Sequence, residues 1–172
     1  MITFLRGQLT EALPTQITVE VNGVGYELLI PLSSYDKLPP VGQPVKVLAH
    51  LAIREDAHVL YGFMTDAERN LFRMLVNHVS GIGPKIALNI LSGISVTAFR
   101  WAVAGSDFKL LSQISGVGKK TAERIVIELK DKIGLAGAGS RQRQTRPLRG
   151  RSEGQRRHPG PARAGLQTGR GP

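Results

Sequence analysis

The sequence predicts an α+β protein in which a five-stranded N-terminal β-barrel precedes an all-helical region and a tail without regular structure. In the first third of the chain, apolar residues alternate with polar ones, which is typical of half-buried strands. After Thr65 the apolar spacing becomes helical, and one segment repeats further along the chain. After Gly139 the periodicity ends. We therefore expect strands over 1–64, helices over 65–135 and a disordered tail over 136–172.

Five short strands are predicted in the N-terminal region. Ile17, Val19 and Val21 alternate with polar residues, and Asn22-Gly23 is typical of a tight hairpin turn that leads into the next strand. The other strand-like segments are 2–9, 24–30, 45–53 and 59–63, with a proline-punctuated connection over 31–44. Five strands in so short a segment favour a closed barrel of the OB type, because closure pairs every strand edge. A flat five-stranded sheet is the alternative.

A capping box marks the start of the helical region. Thr65 supplies a hydroxyl at the N-cap and Glu68 follows three residues later. Ser95 and Ser106 are predicted N-caps of two further short helices. Apolar residues then recur at helical spacing, at Leu71, Leu75, Val79, Ile86, Ile90, Ala122, Ile125, Leu129 and Ile133.

An internal repeat relates two parts of the helical region. Residues 75–91 match residues 110–126 at seven of 17 positions when the chain is shifted by 35. The matched pairs are Leu75/Leu110, Ser80/Ser115, Gly81/Gly116, Gly83/Gly118, Lys85/Lys120, Ala87/Ala122 and Ile90/Ile125. The duplicated unit reads as helix, Gly-x-Gly turn, helix, which is a helix-hairpin-helix motif.

Each hairpin has the composition of a phosphate-binding turn. Glycines let the backbone turn sharply and leave no side chain over the amides, which lie at the N-terminus of a helix where an anion is favoured. The predicted DNA contacts are Gly81, Gly83 and Lys85 in the first hairpin, and Gly116, Gly118, Lys119 and Lys120 in the second. Such contacts reach the sugar-phosphate backbone and carry no base-sequence information.

A structural interpretation of the same turns is that each is a Schellman-type connection between packed helices, with solvated lysines nearby. One copy would leave the two interpretations balanced. Two copies with the same apolar frame and the same basic residues favour DNA binding, since a pseudo-symmetric pair can hold a duplex by its backbone.

Charge and composition narrow the classes of function. The net charge of +10 lies mostly in the tail, because residues 1–139 hold 14 basic and 12 acidic residues, whereas 140–172 hold nine Arg and Glu153. Total charge is therefore weak support for DNA binding by the folded part. The chain has no cysteine, no signal-peptide pattern and no long apolar run, so we expect a cytoplasmic protein without membrane spans. No metal or cofactor site is expected.

Enzymatic alternatives fit the sequence poorly. Gly118-Lys119 is followed by Lys120 and preceded five positions earlier by Gln113, so no Walker A loop is present. A lyase-type DNA glycosylase would use Lys120 as nucleophile with a downstream aspartate. No aspartate follows Asp131, and the cysteines of an iron–sulfur cluster are missing.

A single-strand-binding barrel would need aromatic residues on its surface for base stacking. The candidates are Phe4, Tyr26, Tyr35, Tyr61 and Phe63. Their positions in predicted strands favour a core role for them, so we expect the barrel not to stack bases.

Residues 1 to about 135 resemble the RuvA family of Holliday-junction-binding proteins. The resemblance rests on the predicted barrel, both hairpins, the turn Arg54-Glu55-Asp56 followed by Leu60-Tyr61-Gly62-Phe63, and the run Lys119-Lys120-Thr121-Ala122-Glu123-Arg124. It implies a homotetramer, one or two copies of which hold a four-way junction open while a RuvB-like ATPase pumps the arms. It adds Arg124 to the DNA contacts, and leaves a RuvC-like resolvase open as a further partner.

The resemblance also implies a function for the acidic turn. In RuvA-like proteins this turn, here Glu55 and Asp56, is an acidic pin at the tetramer centre, where repulsion of phosphate disfavours plain duplex and guides separating strands. Without the resemblance, an ordinary charged hairpin tip would be the better interpretation.

The tail departs from the family, whose members end in a small helical domain that docks on the ATPase. No amphipathic helix is evident after Leu135, so we expect that domain to be missing and ATPase recruitment to be weak. Arg, Gly, Pro and Ala have GC-rich codons, which indicates either a shifted reading frame or a natural basic tail.

Overall fold

The computed structural model describes residues 1–138, with side-chain environments through Ile133. In this range the strands are β1 (Phe4–Leu13), β2 (Gln16–Val21), β3 (Val24–Leu29), β4 (Pro44–Ile53) and β5 (His58–Phe63). The helices are α1 (Leu32–Tyr35), α2 (Asp66–His78), α3 (Pro84–Gly93), α4 (Val96–Ala104), α5 (Phe108–Ser112) and α6 (Lys119–Ala138). The predicted α+β class, with strands before helices, is confirmed.

The five strands close into a barrel in the order β1-β2-β3-β5-β4, and β4 pairs with β1. All pairs are antiparallel except β3 with β5, which meet in parallel at Leu29 and Tyr61. Closure confirms the barrel over the flat sheet. Its interior is filled by the alternating apolar residues Leu5, Leu9, Ile17, Val19, Leu28, Ile30, Val45, Val47 and Ala49.

The β2–β3 hairpin of the barrel forms at the predicted dipeptide. Asn22 and Gly23 have φ angles of 52° and 83°, so both central residues of the turn are left-handed, as a type I′ turn requires. The proline-punctuated connection holds the short helix α1, which the sequence pattern did not predict because four residues carry too little periodicity.

Helix starts follow their predicted caps with one exception. The Thr65 hydroxyl accepts from the Glu68 N–H, and the Glu68 carboxylate accepts from the Thr65 N–H, which completes the capping box. Ser95 caps α4 as predicted. The prediction for Ser106 is wrong: Asp107 caps α5 through the Leu110 N–H, while Ser106 takes a left-handed φ of 54° in the preceding turn.

The barrel and the helices share an apolar contact. The Phe63 and Tyr61 rings of β5 lie 4.9 and 5.1 Å from the ring of Phe72 on α2, and Phe63 and Phe72 are fully buried. These rings belong to the same apolar cluster as the cores of α3, α4 and α6. Burial of large aromatic faces at this point fixes how α2 leaves the barrel.

The aromatic residues of the barrel region divide between core and surface. Tyr61 and Phe63 are buried as expected. Phe4 is half exposed, with the Lys46 ammonium 4.9 Å from its ring centre, so its predicted core role is wrong. Tyr35 lies in α1 and not in a strand.

Helix α6 continues to Ala138, three residues beyond the predicted end of the helical region at 135. The predicted disordered tail spans 136–172, and its first three residues are helical, so the prediction is wrong there. The rest of that tail, from residue 139 onward, lies outside the described residues, together with the expected lack of an ATPase-docking domain. Within residues 1–138, no single helix is long and apolar enough to span a membrane. Helices α3 and α4 reach the required length and hydropathy only when taken together, and they are bent by 100° relative to each other.

Candidate nucleic-acid interface

The first Gly-x-Gly turn joins α2 to α3. Gly81 has a φ of +84°, a conformation that only glycine adopts without strain. Gly83 is the N-cap of α3, with an extended backbone, and its carbonyl accepts the first helical hydrogen bond from Ala87 at 3.0 Å. Between the glycines, Ile82 is buried, so this side chain anchors the turn to the core.

The second turn, between α5 and α6, repeats this geometry. Gly116 has a φ of +86°, and the Gly118 carbonyl accepts from the Ala122 N–H at 2.9 Å. Val117 is as buried as its counterpart Ile82, at 4% exposed each. The sequence repeat is therefore also a repeat of backbone conformation.

The second glycine of each turn faces open space. A Cβ atom built on Gly83 or Gly118 would have no heavy atom within 4 Å, other than those of its chain neighbours. A phosphate could approach the helix N-terminus from this space without meeting a side chain.

Three lysines follow the turns. Lys85, Lys119 and Lys120 are exposed, in the first turn of α3 and of α6. The described residues form two ion pairs, Lys37 with Glu68 and Arg69 with Asp66, and none of the three lysines takes part in either. Their ammonium groups are therefore available to a polyanion beside each turn.

Arg124, predicted as a DNA contact, lies one turn further along α6. Its side chain is exposed, but Nη1 donates to the Ser80 carbonyl at 3.4 Å, just before the first hairpin. The structure thus places Arg124 against the other hairpin, in a contact that the sequence did not predict.

Two polar residues at the hairpins were missed by the sequence analysis. Glu128 on α6 accepts from the N–H and the hydroxyl of Ser80, each at 3.1 Å. Asn89 on α3 donates to the Ser115 carbonyl at 3.4 Å. Asn89 aligns with Arg124 when the chain is shifted by 35 residues. This alignment of two polar residues is the sequence feature that could have predicted their matching contacts.

The acidic turn lies at the tip of the β4–β5 hairpin. Glu55 and Asp56 are exposed, and the Arg54 N–H donates to the Ala57 carbonyl at 2.9 Å to close the tip. Ile53, beside the tip, is 67% exposed. Within residues 1–133, hydrogen bonds join the two hairpins to each other, whereas none joins the acidic turn to either of them.

Metal-ligand chemistry receives no support from the part of the chain that the structure describes. No group of three or more His, Cys, Asp or Glu side chains converges there as a metal site.

Two protein families match successive parts of the chain. Residues 1–62 match the family described as RuvA N terminal domain, and residues 72–131 match the SAM-like Helix-hairpin-helix tandem. The first match covers the barrel, and the second covers both hairpins.

Curated relatives carry the name Holliday junction branch migration complex subunit RuvA. The relative from Chromobacterium violaceum is 53% identical over 137 residues, which are 80% of this chain and 69% of that protein. The one from Idiomarina loihiensis is 42% identical over 163 residues, covering 95% and 79%. For a Shewanella relative the identity is 50%, and the shares are 77% of this chain and 64% of the relative. By these matches, the chain belongs to the RuvA family.

Proposed function

We propose that this chain binds four-way DNA junctions without sequence preference, as the non-catalytic DNA-recognition subunit of an ATP-driven branch-migration complex in recombination and repair. The names of the curated relatives supply the junction and the complex. The observation that carries the proposal is the pair of matched hairpins, with Gly81 at φ +84° and Gly116 at φ +86°.

Each hairpin would bind one stretch of phosphate backbone. The glycine amides of each turn can donate to phosphate oxygens at a helix N-terminus, whereas the Ile82 and Val117 N–H groups between them already donate to the Val79 and Ile114 carbonyls. The exposed lysines add charge. None of these groups reads a base edge, which supports binding without sequence preference.

The acidic turn would act against DNA binding at one place. Two exposed carboxylates at adjacent positions repel phosphate, so Glu55 and Asp56 disfavour a continuous duplex that crosses the turn. In a homotetramer with this turn at its centre, four such tips would form a pin that the open centre of a junction tolerates better than a duplex does.

The assembly we infer is a cytoplasmic homotetramer, singly or paired. By family resemblance its motor partner is a RuvB-like ATPase, which we expect this chain to recruit weakly, and a RuvC-like resolvase is a further candidate partner. The chain itself would supply no ATP hydrolysis, because the lysine-rich second hairpin lacks the Ser or Thr of a phosphate-binding ATPase loop after Lys119.

The test is a binding series with a four-way junction, a linear duplex and a single strand of equal length and mixed sequence. We expect the junction to bind tightest, and its affinity to fall with salt by about 0.9 in log–log slope per phosphate neutralised. Two junctions of unrelated sequence serve as a control and should bind equally. Equal affinity for junction and duplex at moderate salt would contradict the proposal.

A further inference from the structure

The two hairpins hold each other by the same contact made twice. Arg124 on α6 donates to the Ser80 carbonyl, and Asn89 on α3 donates to the Ser115 carbonyl, each at 3.4 Å. Ser80 and Ser115 are separated by 35 residues, and so are Asn89 and Arg124. The helix that follows each turn therefore supports the turn of the other repeat.

The supporting side chains lie directly against the left-handed glycines. A Cβ atom on Gly81 would come within 3.3 Å of Arg124 Nη1, and one on Gly116 within 3.6 Å of Asn89 Nδ2. Glycine at these positions therefore serves the backbone angle and also leaves room for the donor of the opposite repeat.

One component of this contact has no counterpart in the other repeat. The Glu128 carboxylate accepts from both the N–H and the hydroxyl of Ser80, so all three polar groups of Ser80 are bound by side chains of α6. The residue 35 positions before Glu128 is Gly93, which has no side chain to offer Ser115.

A carboxylate beside a phosphate-binding turn is unfavourable for DNA binding by charge alone, since it repels the phosphate. Its two hydrogen bonds to Ser80 are charge-assisted, and such bonds are stronger than neutral ones. The geometry therefore favours a role in holding the turn over a role in contacting DNA.

We propose that Glu128 is a positioning residue for DNA binding, which holds Ser80 so that the amides of Gly81 and Gly83 keep the orientation needed to meet phosphate. The proposal deepens the junction-binding function and rests on it. Arg124 and Glu128 together hold Ser80 through their side chains, and we call this set of contacts the Ser80 brace. The contact of Arg124 with Ser80 directs its guanidinium to the first turn.

The first experiment compares Glu128→Ala with Glu128→Gln in the full chain, using four-way junction DNA. Ala removes both acceptors of Ser80, so junction affinity should fall about tenfold, as for loss of a charge-assisted hydrogen bond. Gln keeps one acceptor of nearly the same shape, so binding should return close to that of wild type. If Glu128 acts only by its charge, both variants bind more tightly and to the same extent, which overturns the proposal.

A double-mutant cycle separates positioning from loss of stability. Glu128→Ala should be non-additive with Lys85→Ala, because both act on the first hairpin, and additive with Lys119→Ala in the second. Additivity with both lysine variants overturns the positioning role.

Amide hydrogen exchange gives a readout that needs no DNA. In Glu128→Ala, exchange should accelerate at Ser80–Gly83 and stay unchanged at Ser115–Gly118. Equal amide exchange rates at Ser80–Gly83 in the variant and in wild type would show that Glu128 does not hold this turn, which overturns the proposal. A wild-type chain that binds no junction overturns the proposed function and with it the DNA-binding role of Glu128. Wild-type binding that Glu128→Ala leaves unchanged overturns the inference alone.

Discussion

Lys37 and Glu68 form an ion pair that ties the barrel to the helical region, with Lys37 Nζ 2.8 Å from Glu68 Oε1. Lys37 follows α1 in the β3–β4 connection, and Glu68 lies in the first turn of α2. Glu68 is 2% exposed and also accepts from the hydroxyls of Ser33, Ser34 and Thr65. One buried carboxylate thus fixes the start of α2 against the barrel.

This carboxylate makes stability depend on pH. Burial alone would raise the pKa of Glu68, but the hydrogen bonds from Lys37, Ser33 and Thr65 outweigh it and hold the pKa below its ordinary value of 4.5. Because the folded pKa lies below the unfolded one, the stabilisation is complete above pH 4.5 and is lost as the pH falls through the folded value.

We predict that Glu68→Gln lowers the free energy of unfolding at pH 7 by about 1–3 kcal/mol, since one of the two accepting oxygens becomes an NH₂ donor and the ion pair with Lys37 is lost. The deficit relative to wild type should shrink below pH 4.5. Denaturant unfolding of both proteins between pH 3 and 7 measures this difference in the free energy of unfolding. Asp66→Asn is the matched control, because the Asp66 side chain is 72% exposed and, among the described residues, its one ion pair is with Arg69. An equal deficit at all pH values would contradict the pKa assignment.

We predict that replacing both Gly83 and Gly118 by Ala weakens junction binding about tenfold, which is about 1.4 kcal/mol, while the fold survives. The added methyl groups enter open space, so they meet no neighbour, but they narrow the approach of phosphate to the amides. Titration with junction DNA and thermal melting measure the two effects. Unchanged affinity for junction DNA would mean that both turns only connect packed helices and do not bind phosphate.

We predict that Lys119→Ala combined with Lys120→Ala lowers junction affinity and reduces the salt slope by about two units, if each lysine meets one phosphate. The control is Lys46→Ala with Lys109→Ala, which removes the same charge from exposed sites outside both Gly-x-Gly turns. A slope equal to that of wild type would mean that Lys119 and Lys120 are merely solvated.

We predict that Glu55→Gln combined with Asp56→Asn improves binding of linear duplex relative to junction. The change removes two exposed negative charges that repel phosphate and leaves the tip's backbone hydrogen bond from Arg54 in place. The charge-matched control is Glu27→Gln with Asp36→Asn, both exposed and outside the acidic turn. Competition binding with duplex and junction gives the ratio, and a ratio equal to that of the control would remove the support for an acidic pin.

The sequence alone determined the features that depend on neighbouring residues. Alternation located the strands, Asn22-Gly23 predicted the β2–β3 hairpin turn, and Thr65 with Glu68 predicted the start of α2. The duplicated Gly-x-Gly turns were also readable, because left-handed backbone and helix capping are local properties that few residue types satisfy.

Tertiary structure decided the features that join distant parts of the chain. The Ser80–Glu128 contact spans 48 residues, and no local pattern encodes it. Asp107 replaced Ser106 as a cap because the turn entering α5 places Ser106 in a left-handed conformation. Phe4 occupies a strand position, yet it is half exposed beside Lys46, because alternation predicts two faces and only packing decides which one is buried.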